Sequence, residues 1–278
     1  MSLYDELTQY QILPTAYEDW AGYRQAVTDY ILANTSPDTT LAIFGAGRCN
    51  DIDLYRLSTH FSSITLLDAN HPAMKEAAMR YGLSSDPKLF CKEADFSGIS
   101  PEDYRALGDE LTALYNVSGN ETRIEVLEDF MCFKLDRLYR KADAYTMDFD
   151  INTFDYSMAF GVHSQINNMA SWMFSAFEEN IHAHSSLVTK RIRAANDRMV
   201  PKFNTAILAA TKKAAFFGCE RINTASNEPV EGAYQCIMDL KNRGIVTSQS
   251  LTLWPFYPAG NRYYQMLIQC CDPSGIPG

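Results

Sequence analysis

Long apolar runs are missing from this chain. The longest, such as Leu41 to Phe44, fall far short of the roughly 20 residues a membrane-crossing helix needs. An excess of positive charge is missing too: 24 Lys and Arg stand against 34 Asp and Glu, a formal net charge of −10. That balance disfavours phosphate backbones and anionic membranes as partners, so neither nucleic acid nor membrane is expected. No repeat or low-complexity stretch is visible, and no charged-then-apolar leader can be read in Met1 to Gln11. The seven cysteines show no metal-ligand spacing, and only Cys270 and Cys271 are close in sequence. Reduced thiols in a cytoplasmic protein, with no metal, are the expectation. Without a leader, the Asn-x-Ser/Thr sequons at Asn34, Asn116 and Asn120 read as chance.

What is present is globular. Hydrophobic residues make up 46% and charged residues 21% of 278, which excludes disorder and fibrous folds and suffices for one large core. Trp20, Tyr23, Val27 and Tyr30/Ile31 share one face of an N-terminal helix, and a helical segment is expected over 1–36. From residue 41 the pattern alternates. Strands are predicted at Leu41–Phe44, Ile64–Leu67 and Lys88–Ala94, with helices at about Asp51–Thr59 and His71–Tyr81, the latter stopped by Gly82. That rhythm means a parallel sheet covered by helices.

Residues 100–142 break the rhythm and read as two inserted helices with a turn at Ser118, Gly119 and Asn120. A fourth strand, Asp155–Phe160, ends at Gly161, and Ser164 is expected to cap a helix with Ile166, Met169, Met173, Phe177 and Ile181 on its apolar stripe. A helix from about Leu187 is expected to kink or split at Pro201. A fifth strand at Ala214–Cys219 and a helix at Glu231–Asn242 follow. Ser250–Tyr257 and Arg262–Cys271 are separated only by Pro258 to Asn261, too short for anything but an antiparallel hairpin. The fold class is therefore α/β: a doubly wound, mostly parallel seven-stranded sheet over 37–272 with an antiparallel terminal hairpin strand, and a tail at 273–278.

Gly45, Ala46 and Gly47 join the first strand to its helix, at the carboxyl end where doubly wound sheets bind ligands. Asp68 closes the second strand, where a carboxylate can accept both hydroxyls of a ribose. Loop and acid together point to an adenosine-containing cofactor; a tight turn beside a surface Asp is the plainer alternative. A dinucleotide-binding loop would carry a third glycine at position 50, where Asn50 stands.

These segments, in this order, resemble those of class I (Rossmann-like) S-adenosylmethionine-dependent methyltransferases, over roughly residues 41–271. Leu41 to Gly47 is similar to that family's cofactor loop, and Leu67 to Met74 to the segment whose acid binds the ribose. Glu93 to Phe96 is similar to the segment whose acid meets the adenine amino group, and Phe154 to His163 to the fourth strand, whose end faces the methyl group. The resemblance implies S-adenosylmethionine as cofactor, S-adenosylhomocysteine as product, and cofactor contacts from Gly45, Ala46, Gly47, Asp68, Ala69, Asp95, Phe96, Phe160 and Gly161. It departs at Ile43, where the family often has an acid, and at Cys49 or Asn50, where it has a third glycine. Contacts to the cofactor's amino-acid end then fall to Asp51, Asp53 or Arg24.

His163 follows the fourth strand. A neutral imidazole there can take a proton from a substrate nucleophile, or simply order its loop. His182 and His184 lack metal-ligand company. The stretch 187–221 is locally basic and reads more readily as a solvated helix face than as a docking site for an acidic partner. By family analogy the insert covers a pocket for a small-molecule acceptor. The reading is methyl transfer from S-adenosylmethionine to such an acceptor; a non-catalytic adenosyl-ligand- or partner-binding protein and an NAD-dependent oxidoreductase remain as alternatives.

Overall fold

The computed structural model describes residues 2–10, 12–118, 123–181 and 186–275. In chain order the elements are α1 (Leu3–Tyr10), α2 (Ala16–Asp19), α3 (Ala21–Ala33), β1 (Thr40–Phe44), α4 (Leu54–His60), β2 (Ser63–Asp68), α5 (His71–Arg80), β3 (Leu89–Glu93), α6 (Pro101–Val117), α7 (Arg123–Ala144), β4 (Phe154–Phe160), α8 (Asn168–Ile181), α9 (Ser186–Ala210), β5 (Thr211–Asn223), α10 (Ala233–Arg243), β6 (Val246–Tyr257) and β7 (Arg262–Cys271). They form two compact units. A sheet unit comprises Pro14–Phe96, Met147–Ser164 and Pro201–Gly278; a helical unit comprises Met1–Leu13, Ser97–Thr146 and Gln165–Val200.

In the sheet unit the strand order is β3-β2-β1-β4-β5-β7-β6. β1 pairs in parallel with β2 and β4, β2 with β3, and β4 with β5. β7 runs antiparallel to both β5 and β6. This is the doubly wound, mostly parallel seven-stranded sheet with an antiparallel terminal hairpin strand that the sequence predicts. The central strand reads as a continuous apolar run because helices cover both faces: Leu41, Ala42, Ile43 and Phe44 are all buried. α3 lays Tyr23, Val27 and Ile31 into the core as one stripe. Trp20, just before it, donates Nε1–H to Phe256 O at 3.0 Å and meets Trp254 edge-on.

Three local expectations change. Ser164 does not cap a helix: residues His163–Gln165 form a 3-10 turn, α8 begins only at Asn168, and the Ser164 hydroxyl donates to Glu220 Oε1 at 2.7 Å. Pro201 does not split its helix, since α9 runs unbroken from Ser186 to Ala210. One missing N–H is tolerated in so long a helix, whose neighbouring Val200, Phe203 and Ile207 are buried. β5 is longer than its apolar run because pairing with β7 continues to Asn223 opposite Tyr264.

In the helical unit, α6 opens with a Ser100–Asp103 capping box. Arg105 pairs with Asp5 at 3.1 Å, and Tyr4 stacks on Tyr104. The two expected insert helices are α6 and α7; Gly119 and Asn120 of the turn between them lie outside the described residues. Part of the basic stretch is spent on acids of α7: Arg191 pairs with Asp136 at 3.2 Å and Arg198 with Asp143 at 3.1 Å. Among the described residues, no helix is long and apolar enough to cross a membrane.

Candidate functional site

The carboxyl ends of β1 and β2 are tied together by the backbone. Gly45 N and Ala46 N both donate to Leu67 O, at 2.8 and 3.2 Å. Gly47 N donates to Asp68 Oδ2 at 2.9 Å, and Asn70 N to Asp68 Oδ1 at 2.7 Å. The loop turns through left-handed backbone at Gly45 (φ +71°) and Gly47 (φ +47°), a conformation that costs an L side chain about 1–2 kcal/mol. A Cβ on Gly47 would meet nothing nearer than Asp68 Oδ2, 4.0 Å away, so the loop leaves room beside that carboxylate. Burial pushes the Asp68 carboxyl up, and the Asn70 and Gly47 N–H groups oppose it. Each oxygen accepts one N–H and keeps a lone pair, so Asp68 can take two vicinal hydroxyls without releasing the loop. Ala69 is exposed beside it. These residues fit the ribose and the close backbone approach of an adenosyl cofactor.

Asp95 and Phe96 follow β3 and are half-buried. Ala94 N donates to Asp68 O at 3.1 Å, which draws this segment to the end of β2. The Phe96 ring lies 4.9 Å from Phe203, 6.3 Å from Phe44 and 6.4 Å from Phe149, an apolar wall of the kind a purine packs on. Phe149 and Phe203 carry no signal in the sequence beyond being apolar. Phe160 is buried with its ring against Gly218, so its side chain is core and only its backbone faces the end of β4. Gly161 N donates to Gly218 O at 2.9 Å, and the Trp254 ring closes on Gly161.

Among the groups expected at the cofactor's amino-acid end, Ile43 is core and Asp53 is spent capping α4, accepting from Arg56 N at 3.1 Å. Cys49 is buried at φ +48°. Arg24 gives Nη1–H to Tyr17 O at 2.7 Å and Asn50 O at 3.0 Å, with its guanidinium 4.0 Å over the Tyr17 ring. Asp51 is half-buried, and burial drives its carboxyl up to about 6, against its own N–H and the Arg24 charge.

His163 does not stand where a general base must. It is 1% exposed, Nε2 donates to Asn204 Oδ1 at 2.8 Å, Nδ1 lies 3.9 Å from Cys219 Sγ, and the ring sits 5.3 Å from Phe203 and 5.8 Å from Phe217. The 3-10 turn after β4 carries the imidazole into the core, where its two nitrogens face Asn204 and Cys219. Glu220, which sequence reading passed over, comes from the neighbouring strand β5 to lie beside Gly161 at the end of β4. It is 3% exposed; Oε1 takes the Ser164 hydrogen bond and lies 3.8 Å from where a Gly161 Cβ would be. Among the described residues, buried Oε2 has no hydrogen-bond partner, and neither has Trp254 Nε1. Burial raises this carboxyl to about 7, with Ser164 opposing. Its only sequence signal is an acid inside an apolar strand.

The structure also revises the expectation of no metal-ligand cluster. Cys219, Cys236 and His163, far apart in sequence, bring Sγ, Sγ and a ring nitrogen within 4.8 Å of one another. His182 and His184 lie outside the described residues.

No protein-family model matches the sequence, and no curated protein matches it. Among solved structures, the chain is similar to a chain of the complex between the Haloferax volcanii Trm112 methyltransferase activator and the putative methyltransferase, at 8% identity over 98% of both chains, with a TM-score of 0.48. It is similar to a putative methyltransferase from Bacillus halodurans C-125, at 7% identity over 88% of this chain and 97% of that one, TM-score 0.46. It is also similar to magnesium protoporphyrin IX methyltransferase from Synechocystis PCC 6803, which holds S-adenosylhomocysteine, at 9% identity over 94% and 89%, TM-score 0.46.

Proposed function

We propose that the sheet unit binds S-adenosylmethionine at the carboxyl ends of β1 to β4 and that the protein transfers its methyl group to a small-molecule acceptor. The observation that carries this is the Gly47–Asp68 contact. It sets a left-handed glycine turn, with space beside it, against a carboxylate whose oxygens each keep a lone pair. Asp68 would hold the ribose hydroxyls, with Ala69 beside it. Asp95 would meet the adenine amino group and Phe96 the ring face. Gly45, Ala46, Phe160 and Gly161 would contribute backbone, and Asp51 with Arg24 would hold the amino-acid end.

The bound cofactor supplies a sulfonium methyl that is already activated, so the protein's task is alignment and exclusion of water. Glu220 is the group placed to align the acceptor: its unpartnered Oε2 would accept the hydrogen bond of the attacking O–H or N–H. A nicotinamide cofactor is disfavoured because β7 enters antiparallel between β5 and β6, which the dinucleotide arrangement lacks. The net charge of −10 argues for a small acceptor rather than nucleic acid or membrane. Seven free thiols favour the cytoplasm.

Calorimetric titration with S-adenosylmethionine, S-adenosylhomocysteine and NADH tests the reading. Binding of the first two and not the third is expected; binding of NADH alone, or of none, overturns it.

A further inference from the structure

We propose that His163, Cys219 and Cys236 form a buried metal site that holds one zinc ion. Three elements build it. His163 comes from the turn after β4, Cys219 from the middle of β5, and Cys236 from the first turn of α10. Their approach is enforced by Gly232, which starts α10 at φ +79° with its backbone so close to His163 that a Cβ there would lie 2.2 Å from His163 O. No other residue lets the helix start dock on that carbonyl and bring Cys236 beside the imidazole.

The surroundings fix the imidazole as a ligand. Arg243 Nε donates to Asp239 at 3.0 Å, and Asp239 Oδ2 accepts from Asn204 Nδ2 at 2.8 Å. Asn204 must therefore turn Oδ1 toward His163, and an amide oxygen only accepts. Nε2 thus carries a proton, and Nδ1 faces Cys219 Sγ, 3.9 Å away. A metal-bound histidine has this same arrangement, its second N–H held by an outer partner.

Spacing and charge favour zinc. With metal–sulfur distances of about 2.3 Å and metal–nitrogen distances of about 2.0–2.1 Å, tetrahedral ligand atoms stand roughly 3.5–3.8 Å apart. The Nδ1–Sγ separation of 3.9 Å and the outer limit of 4.8 Å for all three need only a small contraction. A divalent ion with two thiolates and a neutral imidazole carries no net charge, which burial tolerates far better than an isolated ion. Two thiol protons leave as the ion enters. Asn204 Oδ1 also accepts from the Cys236 thiol at 3.5 Å, which holds that side chain beside the imidazole. Since the three residues are at most 1% exposed, the ion would be taken up as the chain folds and exchange slowly.

The test needs no methyl acceptor and no cofactor. The full chain, expressed in zinc-supplemented medium and purified under reducing conditions, is expected to carry one zinc per chain by elemental mass spectrometry. Protein unfolded with chelator and refolded with cobalt(II) is expected to show thiolate-to-cobalt charge-transfer absorption. Cys219→Ser and Cys236→Ser should lose both signals, while Cys91→Ser, outside the cluster, keeps them. If the serine variants fail to fold, the cobalt spectrum of the wild-type chain decides alone. Folded, reduced wild type with neither zinc nor cobalt absorption overturns the proposal. So do zinc retained by both serine variants and a Cys219–Cys236 disulfide in the purified protein by intact mass. Failure of S-adenosylhomocysteine binding bears only on the cofactor reading.

Discussion

The backbone N–H of Gly47 and the carboxylate of Asp68 meet at 2.9 Å, across the tips of two adjacent parallel strands. The carboxylate thus serves two purposes at once, holding the loop and presenting lone pairs beside it. Asp68→Ala removes both. Losing hydrogen bonds to a charged group costs about 1.5–3 kcal/mol, so affinity for S-adenosylhomocysteine should fall roughly 10- to 150-fold. Calorimetry on the folded variant measures this, and an unchanged dissociation constant would remove Asp68 from the cofactor site.

Asp51 sets a pH dependence. Its carboxyl is raised to about 6 in the folded chain, with burial the main cause, whereas an unfolded Asp titrates near 3.9. A raised carboxyl favours folding in its protonated form. Its contribution is complete below about pH 4 and is lost as pH rises through about 6. Asp51→Asn should therefore match wild type near pH 4 and exceed it by about 1–3 kcal/mol at pH 8. Denaturant unfolding of both proteins at the two pH values gives the difference. A gain confined to the acid end contradicts the assignment.

Trp254 joins the N-terminal helices to the hairpin. It is 5% exposed and lies 4.8 Å from Trp20, 5.5 Å from Tyr23 and 5.0 Å from Phe256, centroid to centroid. Trp254→Ala should cost about 3–5 kcal/mol, and Trp254→Phe clearly less, because the phenyl ring keeps most of these contacts. Chemical denaturation followed by far-UV circular dichroism reads both. Equal losses would mean the site collapses around either side chain.

Gly232→Ala places a Cβ against His163 O in a backbone conformation that side chains avoid. The conformation alone costs about 1–3 kcal/mol, and the contact adds to it. A denaturation midpoint clearly below wild type is expected; an unchanged one would show that α10 can start elsewhere.

Glu220→Gln should leave S-adenosylhomocysteine affinity unchanged, because Glu220 belongs to the acceptor side of the proposed site. Methyl transfer, once an acceptor is in hand, should slow. Weakened cofactor binding in a folded variant would move Glu220 to the cofactor side.

Local order was legible in the sequence. The alternation of apolar runs with helical stretches, Gly45 and Gly47 after β1, Asp68 at the tip of β2, and the short link at Pro258–Asn261 each act over a few residues. Turn chemistry and periodicity report such features directly. Only the tertiary structure decided which side chains meet across elements. His163 looked like a base because its place in the chain is the end of β4, yet a 3-10 turn points its ring inward to Asn204 and Cys219. Ser164 looked like a helix cap, but Glu220 from the neighbouring strand captures its hydroxyl. The cluster of His163, Cys219 and Cys236 has no spacing to betray it, because strand pairing and the docking of α10, not chain proximity, put the three side chains together.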